Sequence, residues 1–302
     1  MKNKLPNFLI VGAAKCGTSS MHNYLNQHPE VFMPSYNQYG MKVKEPRFLI
    51  KDLVQNRLHN GIWNFEEYKS LFSDVKGEKA IGESTVLYLY YYQHAIKKIK
   101  ENLGKDVKII IMLRSPVDRA YSAFQHVSRG FQESNSFEES LDIEEGRISR
   151  DEYLTPMVMY KEMGLYYKMV KAYLHAFKNV HIIFYEDFRD NIEQEMEKIY
   201  DFLDITRNVK IDFSVRHNVG GKIWKNERLK YIFMSNLFIK SVLKFIIPKD
   251  FAKSIRKYLI NLSTYKNLPM KDETRKMLND YFKQDIKKLS DLLNKDLKHW
   301  IK

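Results

Sequence analysis

Residues 7–25, Asn-Phe-Leu-Ile-Val-Gly-Ala-Ala-Lys-Cys-Gly-Thr-Ser-Ser-Met-His-Asn-Tyr-Leu, constrain the fold more than any other stretch of the chain. Phe8 to Val11 is an unbroken apolar run, the pattern of a parallel strand covered on both faces. Gly12 to Gly17 is a tight turn, and Thr18 is a residue that can cap a helix running to Gln27, where His28-Pro29 ends it. His28 reads as a turn or capping residue because Pro29 ties it to a chain reversal. Strand, short glycine loop and helix together expose the unpaired N–H groups and partial positive charge of a helix N-terminus, which suit an anion with several terminal oxygens. Lys15 adds a full charge. The spacing Gly12, four residues, Gly17, Thr18 is close to the nucleoside-triphosphate loop, yet that loop requires lysine directly after the second glycine, and here the lysine lies inside the turn.

The rest of the first two hundred residues alternates strands with helices, which predicts an α/β fold with a P-loop-like central parallel sheet flanked by helices. Ala80–Ser84 and Asn179–Tyr185 read as strands, and Lys108-Ile-Ile-Ile-Met-Leu as the clearest central one. Arg114 then stands at a strand's C-terminal end, where open α/β sheets bind ligands. Pro116 fits the first turn of a helix on which Asp118, Ser122 and His126 share a face. Arg119 on the same helix is expected in a surface ion pair. Helices are also predicted over Asn64–Phe72, with Phe65, Tyr68, Leu71 and Phe72 inward, over Met157–Phe177, and over Ile192–Leu203. The tyrosine-rich segment Tyr88–Tyr92 could line a ring-binding wall or pack in the core.

The net charge of +13 is unevenly placed. Residues 222–302 hold 20 Lys and Arg against 8 Asp and Glu, whereas the first 221 residues are nearly balanced. Residues 228–247 and 251–262 read as helices with broad apolar faces and many lysines, which fits a packed cap, a substrate lid or peripheral contact with a membrane or polyanion. A closing amphipathic helix from Thr274 to about Leu293 follows, with Trp300 as an anchor. One domain is expected over 1–302, an α/β core to residue 221 and a basic helical closure beyond it. The single cysteine, Cys16, excludes an internal disulfide. No apolar run approaches the roughly 20 residues of a membrane span, and Met1–Asn7 leaves no room for a signal peptide, so a cytoplasmic location is expected. No nucleic-acid motif is present, and no partner nucleic acid is expected.

The form Gly-x-x-Lys-x-Gly-Thr-Ser resembles the sulfotransferases that use 3′-phosphoadenosine 5′-phosphosulfate (PAPS), and three further stretches resemble the same family in the same order. Lys44-Glu45-Pro46-Arg47-Phe48 is similar to the segment that carries the catalytic glutamate of glycan sulfotransferases. Arg114-Ser-Pro-Val-Asp-Arg-Ala-Tyr-Ser122 is similar to the 3′-phosphate signature, and His217-Asn-Val-Gly-Gly-Lys222 to the late glycine loop. The resemblance implies transfer of a sulfuryl group from PAPS to a hydroxyl, most readily of a carbohydrate, with a small-molecule or lipid alcohol as the alternative acceptor. It implies Lys15 at the leaving oxygen and Glu45 as base. It places Lys15, Cys16, Gly17, Thr18, Ser19 and Ser20 around the 5′-phosphosulfate, Cys16 as filler in that loop. Arg114 and Ser122 fall on the 3′-phosphate, joined by Gly221 and Lys222, although Gly220-Gly221 reads equally as a simple turn. No metal is implied. Relatives often carry His at the position of Arg47 and Lys at that of Ser84, so acceptor contacts are not carried over there. Glu83 and His94 are the reserve candidates for the base. Two rivals from other classes are an ATP-dependent kinase, which should show a lysine after Gly17, and a non-catalytic polyanion-binding protein.

Overall fold

The computed structural model describes residues 5–37, 39–130, 132–214, 222–224, 264–266 and 269–301. The predicted first strand is β1 (Phe8–Gly12), every residue of it buried. It is followed by α1 (Thr18–Leu25), the short β2 (Val31–Phe32), α2 (Phe65–Ser70), β3 (Ala80–Ser84), α3 (Tyr92–Asn102), β4 (Lys108–Leu113), α4 (Pro116–Val127), α5 (Tyr166–Ala176), β5 (Val180–Phe184) and α6 (Ile192–Leu203). The five strands form one parallel sheet in the order β2-β3-β1-β4-β5. An apolar run such as Ile109–Leu113 can occupy the middle of this sheet because helices cover both faces, and those five residues are fully buried.

The chain leaves β1 toward β2 on one side and later crosses to β4 on the other. This reversal opens a crevice beyond the carboxyl ends of β1 and β4. Gly12 stands at the top of β1 with φ +151°, and a Cβ there would lie 2.6 Å from Leu89 Cβ and 2.8 Å from the Val86 carbonyl oxygen. The loop can start at that height only without a side chain. Gly17, φ +90°, is the N-cap of α1; Thr18 is buried in the first turn and makes no side-chain cap, so capping falls to the glycine rather than to Thr18.

Three further expectations need correction. Met157–Phe177 is not one helix: short 3₁₀ turns at Pro156–Val158 and Glu162–Gly164 precede α5. The reason is local. The Lys161 and Glu162 N–H groups donate to the Glu144 carboxylate at 2.8–2.9 Å, and the Tyr160 carbonyl accepts from Arg119 at 2.8 Å, so the helical ladder has lost its partners. Arg119 is therefore no surface residue; it is fully buried. Phe65 opens α2 at 37% exposure, while Tyr68, Leu71 and Phe72 point inward as expected.

The C-terminal helix α7 (Asp272–Leu293) packs against α5 and α4. Arg275 reaches Asp118 at 3.0 Å, and Thr274 donates to Glu138 at 2.7 Å. Trp300 is buried against Tyr166 and Phe184. Between α6 and α7 lie β6 (Lys222–Trp224) and β7 (Thr264–Lys266), an antiparallel pair. The expected helices at 228–247 and 251–262, with Gly221 and the loop before it, lie outside the described residues. Among the described residues no helix is long and apolar enough to cross a membrane.

Gly12→Ala should destabilise the fold by at least about 1–3 kcal/mol, because the obstacles are a backbone oxygen and a Cβ rather than a mobile side-chain tip. Urea unfolding should show a lower midpoint with an unchanged m value, and an unchanged midpoint would mean that β1 tolerates a side chain at its end.

Candidate active site

A cleft of about 710 Å³ opens over the carboxyl edge of the sheet. Its walls come from the segments that follow the strands: Ala14–Ser20 after β1, Val86 and Leu87 after β3, Arg114–His126 after β4, and Tyr185–Ile192 after β5. The loop that carries Lys44, Glu45 and Arg47 forms another rim. Lys15, Gly17, Thr18, Ser19, Ser20, Glu45, Arg114 and Ser122, separated by more than a hundred positions in sequence, all line this one space. Asp118, Ser122 and His126 do share the cleft-facing side of α4.

Lys15 has φ +72°, an uncommon conformation for a residue with a side chain. Burial, followed by the charges of Arg129, Arg114 and Lys44, pulls its ammonium down to about 8. Arg114 lies over the ring of Tyr185, its guanidinium carbon 4.8 Å from the centroid. Tyr185 also closes on the loop, since a Cβ on Gly17 would stand 3.1 Å from its ring. Among the described residues no carboxylate pairs with Lys15 or Arg114. The other lining charges are matched: Asp118 by Arg275, Arg189 by Asp190 at 2.7 Å, and Glu45 by Lys44 at 3.4 Å and Arg47 at 3.5 Å.

Lys44 joins the two rims, because its ammonium also donates to Ser19 Oγ at 3.0 Å. The His126 imidazole is pushed below its usual range, first by desolvation in the cleft and then by Lys15 and Arg129, with Glu45 opposing. Cys16 faces away: it is fully buried, 3.8 Å from the Tyr166 hydroxyl, and burial pushes its thiol up to about 11. Only its backbone belongs to the loop. Lys222 is described in its backbone alone, in β6, and Gly221 lies outside the described residues.

The reserve bases stand elsewhere. Glu83 is buried beneath the rim and does not line the cleft. His94 faces Asp52 at 3.7 Å on α3, away from it. The tyrosines at 88, 90, 91 and 92 do not form a wall: Tyr88 is buried and Tyr90 donates to Glu162 at 2.8 Å. An aromatic surface is supplied by residues that sequence reasoning missed, Tyr24, Phe188 and Phe213, with Tyr24 5.1 Å from Phe213 and 6.2 Å from Phe188. They come from α1, from the short helix after β5 and from residues beyond α6, so no local pattern groups them. Tyr185 was within reach, because it follows β5 as Arg114 follows β4. Among the described residues no group of three His, Cys, Asp or Glu side chains could hold a metal ion.

A parallel sheet whose first loop ends on a helix N-terminus, with cations that meet no carboxylate among the described residues and an aromatic surface over its carboxyl edge, defines a P-loop-like α/β protein with an electropositive cleft. The chain belongs to the sulfotransferase family, the model for the sulfotransferase domain matching residues 5–288. The membrane-associated sulfotransferase kil1 of Dictyostelium discoideum is 26% identical over 342 residues, covering 97% of this chain and 66% of that protein. The human bifunctional heparan sulfate N-deacetylase/N-sulfotransferase 3 is 29% identical over 124 residues, covering 41% of this chain and 13% of that protein. The chain thus spans at most 66% of the length of these two relatives. The crystal structure of a sulfotransferase from Alicyclobacillus acidocaldarius superimposes with a TM-score of 0.72 at 30% identity, covering 98% of this chain and 99% of that one.

Lys15, being half neutral near pH 8, should be acylated at that pH ahead of lysines on open helix faces. Peptide mass spectrometry after brief exposure to an amine-reactive ester reads this out. Its labelling should rise steeply between pH 7 and 9, and a labelling rate no greater than that of open-face lysines would show that its pKa is not lowered.

Proposed function

We propose that the protein transfers the sulfuryl group of PAPS to a hydroxyl of a carbohydrate acceptor, releasing adenosine 3′,5′-bisphosphate. The observation that carries this reading is the pair of cations, Lys15 and Arg114, held in one cleft without carboxylate partners among the described residues. A donor with two separate anionic ends supplies what each lacks. Lys15 and the first turn of α1 take the phosphosulfate; Arg114, which lies over Tyr185, and Ser122 take the 3′-phosphate. Tyr24, Phe188 and Phe213 offer the purine a surface to stack on. The carbohydrate preference rests on the Lys44-Glu45-Pro46 segment and on relatives that are heparan sulfate and carbohydrate sulfotransferases by name.

In the reaction the acceptor oxygen attacks sulfur as the bond to the bridging phosphate oxygen breaks. Charge then develops on that oxygen, and Lys15 is placed to neutralise it, its lowered pKa reporting a desolvated site where such stabilisation is strong. Glu45 takes the proton that the acceptor hydroxyl loses. Lys44 and Arg47 hold its carboxylate at the rim. No step calls on a metal ion.

Two outcomes test the reading. Adenosine 3′,5′-bisphosphate should raise the melting temperature well above the effect of adenosine 5′-monophosphate, and Arg114→Ala should weaken its binding by about tenfold or more, the worth of a charge-assisted bond. Equal shifts for the two nucleotides would defeat the donor assignment. Separately, Glu45→Gln should lower kcat for PAPS turnover by about a hundredfold or more while the bisphosphate still binds as before. Near-normal turnover would return Glu45 to a plain ion-pairing role.

A further inference from the structure

Glu83, at the end of β3, is fully buried and accepts three hydroxyl hydrogen bonds. Tyr68 and Tyr88 donate to Oε1 at 3.1 and 2.9 Å, and Thr85 donates to Oε2 at 2.9 Å. Two of these hydroxyls also face the Glu45 loop. The Arg47 N–H donates to Thr85 Oγ1 at 3.2 Å, and the Leu49 N–H donates to the Tyr88 hydroxyl at 3.3 Å. Arg47 sits at φ +61°, a conformation that a side-chain-bearing residue keeps only when its surroundings hold it there.

A hydroxyl has one proton and two lone pairs, whereas an ionised carboxylate can only accept. In its ionised form Glu83 therefore draws the protons of Thr85 and Tyr88 inward and leaves their lone pairs turned toward the two loop amides. Burial pushes the Glu83 carboxyl up to about 7 against the pull of its three hydroxyl partners, with the charge of Glu45 adding to the rise. Resting on Glu45 as the base, we propose that Glu83 is a positioning residue: acting through Thr85 and Tyr88, it fixes the backbone at Arg47 and Leu49 and so holds Glu45 at the cleft. A glutamine in its place keeps the volume but presents an N–H to one side, so the hydroxyl there must accept where it had donated, its own proton is left without the carboxylate acceptor, and the hold on the loop amide is loosened.

The experiment compares the wild type with Glu83→Gln, Thr85→Val, Thr85→Ser, Glu45→Gln and the Glu45→Gln/Glu83→Gln double variant. Two readouts are taken: amide hydrogen exchange at Arg47 and Leu49, and the slow turnover of PAPS with water as acceptor, followed as release of the bisphosphate. Exchange at both amides should quicken by about tenfold or more in Glu83→Gln, and at Arg47 in Thr85→Val, while Thr85→Ser stays near wild type. Turnover should fall by about 10- to 100-fold in Glu83→Gln and Thr85→Val, with KM for PAPS within about twofold. The double variant should be no slower than Glu45→Gln, since Glu83 acts only through Glu45. Unchanged exchange in both Glu83→Gln and Thr85→Val, or losses that multiply in the double variant, would overturn the proposal. Should Glu45→Gln leave turnover intact while exchange quickens in Glu83→Gln and Thr85→Val, the base assignment fails and the hold of Glu83 on the loop stands.

Discussion

Like charges brought together in a partly desolvated space repel, and Lys15 has Arg129, Arg114 and Lys44 near enough that all three lower its pKa. Such a cluster is unfavourable in the free protein and is relieved by an anion. The architecture supplies the rigidity that the cluster requires. Lys15 is held in a left-handed conformation by a loop whose two ends are fixed, at Gly12 by the close approach of Leu89 and Val86, and at Gly17 by Tyr185. Arg114 extends from the buried end of β4 and lies against the same Tyr185 ring. One aromatic side chain after β5 thus sets the spacing between the donor loop and the arginine.

The rim that carries Glu45, the proposed base, has no such strand beneath it. It is a loop, and a loop that holds a catalytic group to within a fraction of an ångström requires contacts that offset its conformational entropy. Those contacts come from two directions. From the cleft side Lys44 spans to Ser19, tying the rim to the donor loop. From the core side Thr85 and Tyr88 take the Arg47 and Leu49 amides, and the Arg47 guanidinium is anchored on the Asn60 carbonyl at 2.7 Å. Binding at the donor loop and placement of Glu45 are therefore linked through a single lysine.

Much of this was legible in the residues themselves. A buried apolar run followed by Gly12-x₄-Gly17 dictates strand, turn and helix, and Lys108–Leu113 dictates a central strand with Arg114 at its carboxyl end, where the cleft lies; α6 falls on the predicted bounds. These features are local, fixed by side-chain period and by glycine. What was not legible depends on partners distant in sequence. Arg119 looks like one more charge on an amphipathic helix until the Tyr160 carbonyl, 41 residues away, claims it. The aromatic surface joins Tyr24 to Phe213 across 189 positions. Glu83 reads as a plausible base in a row of polar residues, and only the hydroxyls of Tyr68 and Tyr88 show that its carboxylate is already committed.

That commitment belongs to a pattern. Three acids with little or no exposure, Glu83, Glu133 and Glu144, each serve a stretch of irregular backbone rather than the cleft itself. Glu144 takes the Lys161 and Glu162 amides where the helix before α5 fails to form. Glu133 takes the Ser134 and Asn135 amides together with the Tyr160 hydroxyl, and Arg147 reaches it at 2.6 Å. Thr155 and Met157, which line the cleft, lead directly into the Tyr160–Glu162 stretch so held. An irregular wall offers side chains at angles that a helix or strand cannot, but its amides must still find acceptors away from water. A carboxylate, with four lone-pair sites and no proton of its own, can satisfy several amides and hydroxyls at once. Buried acid at these positions is thus part of what allows the walls around Glu45 and Met157 to depart from regular structure and remain in place.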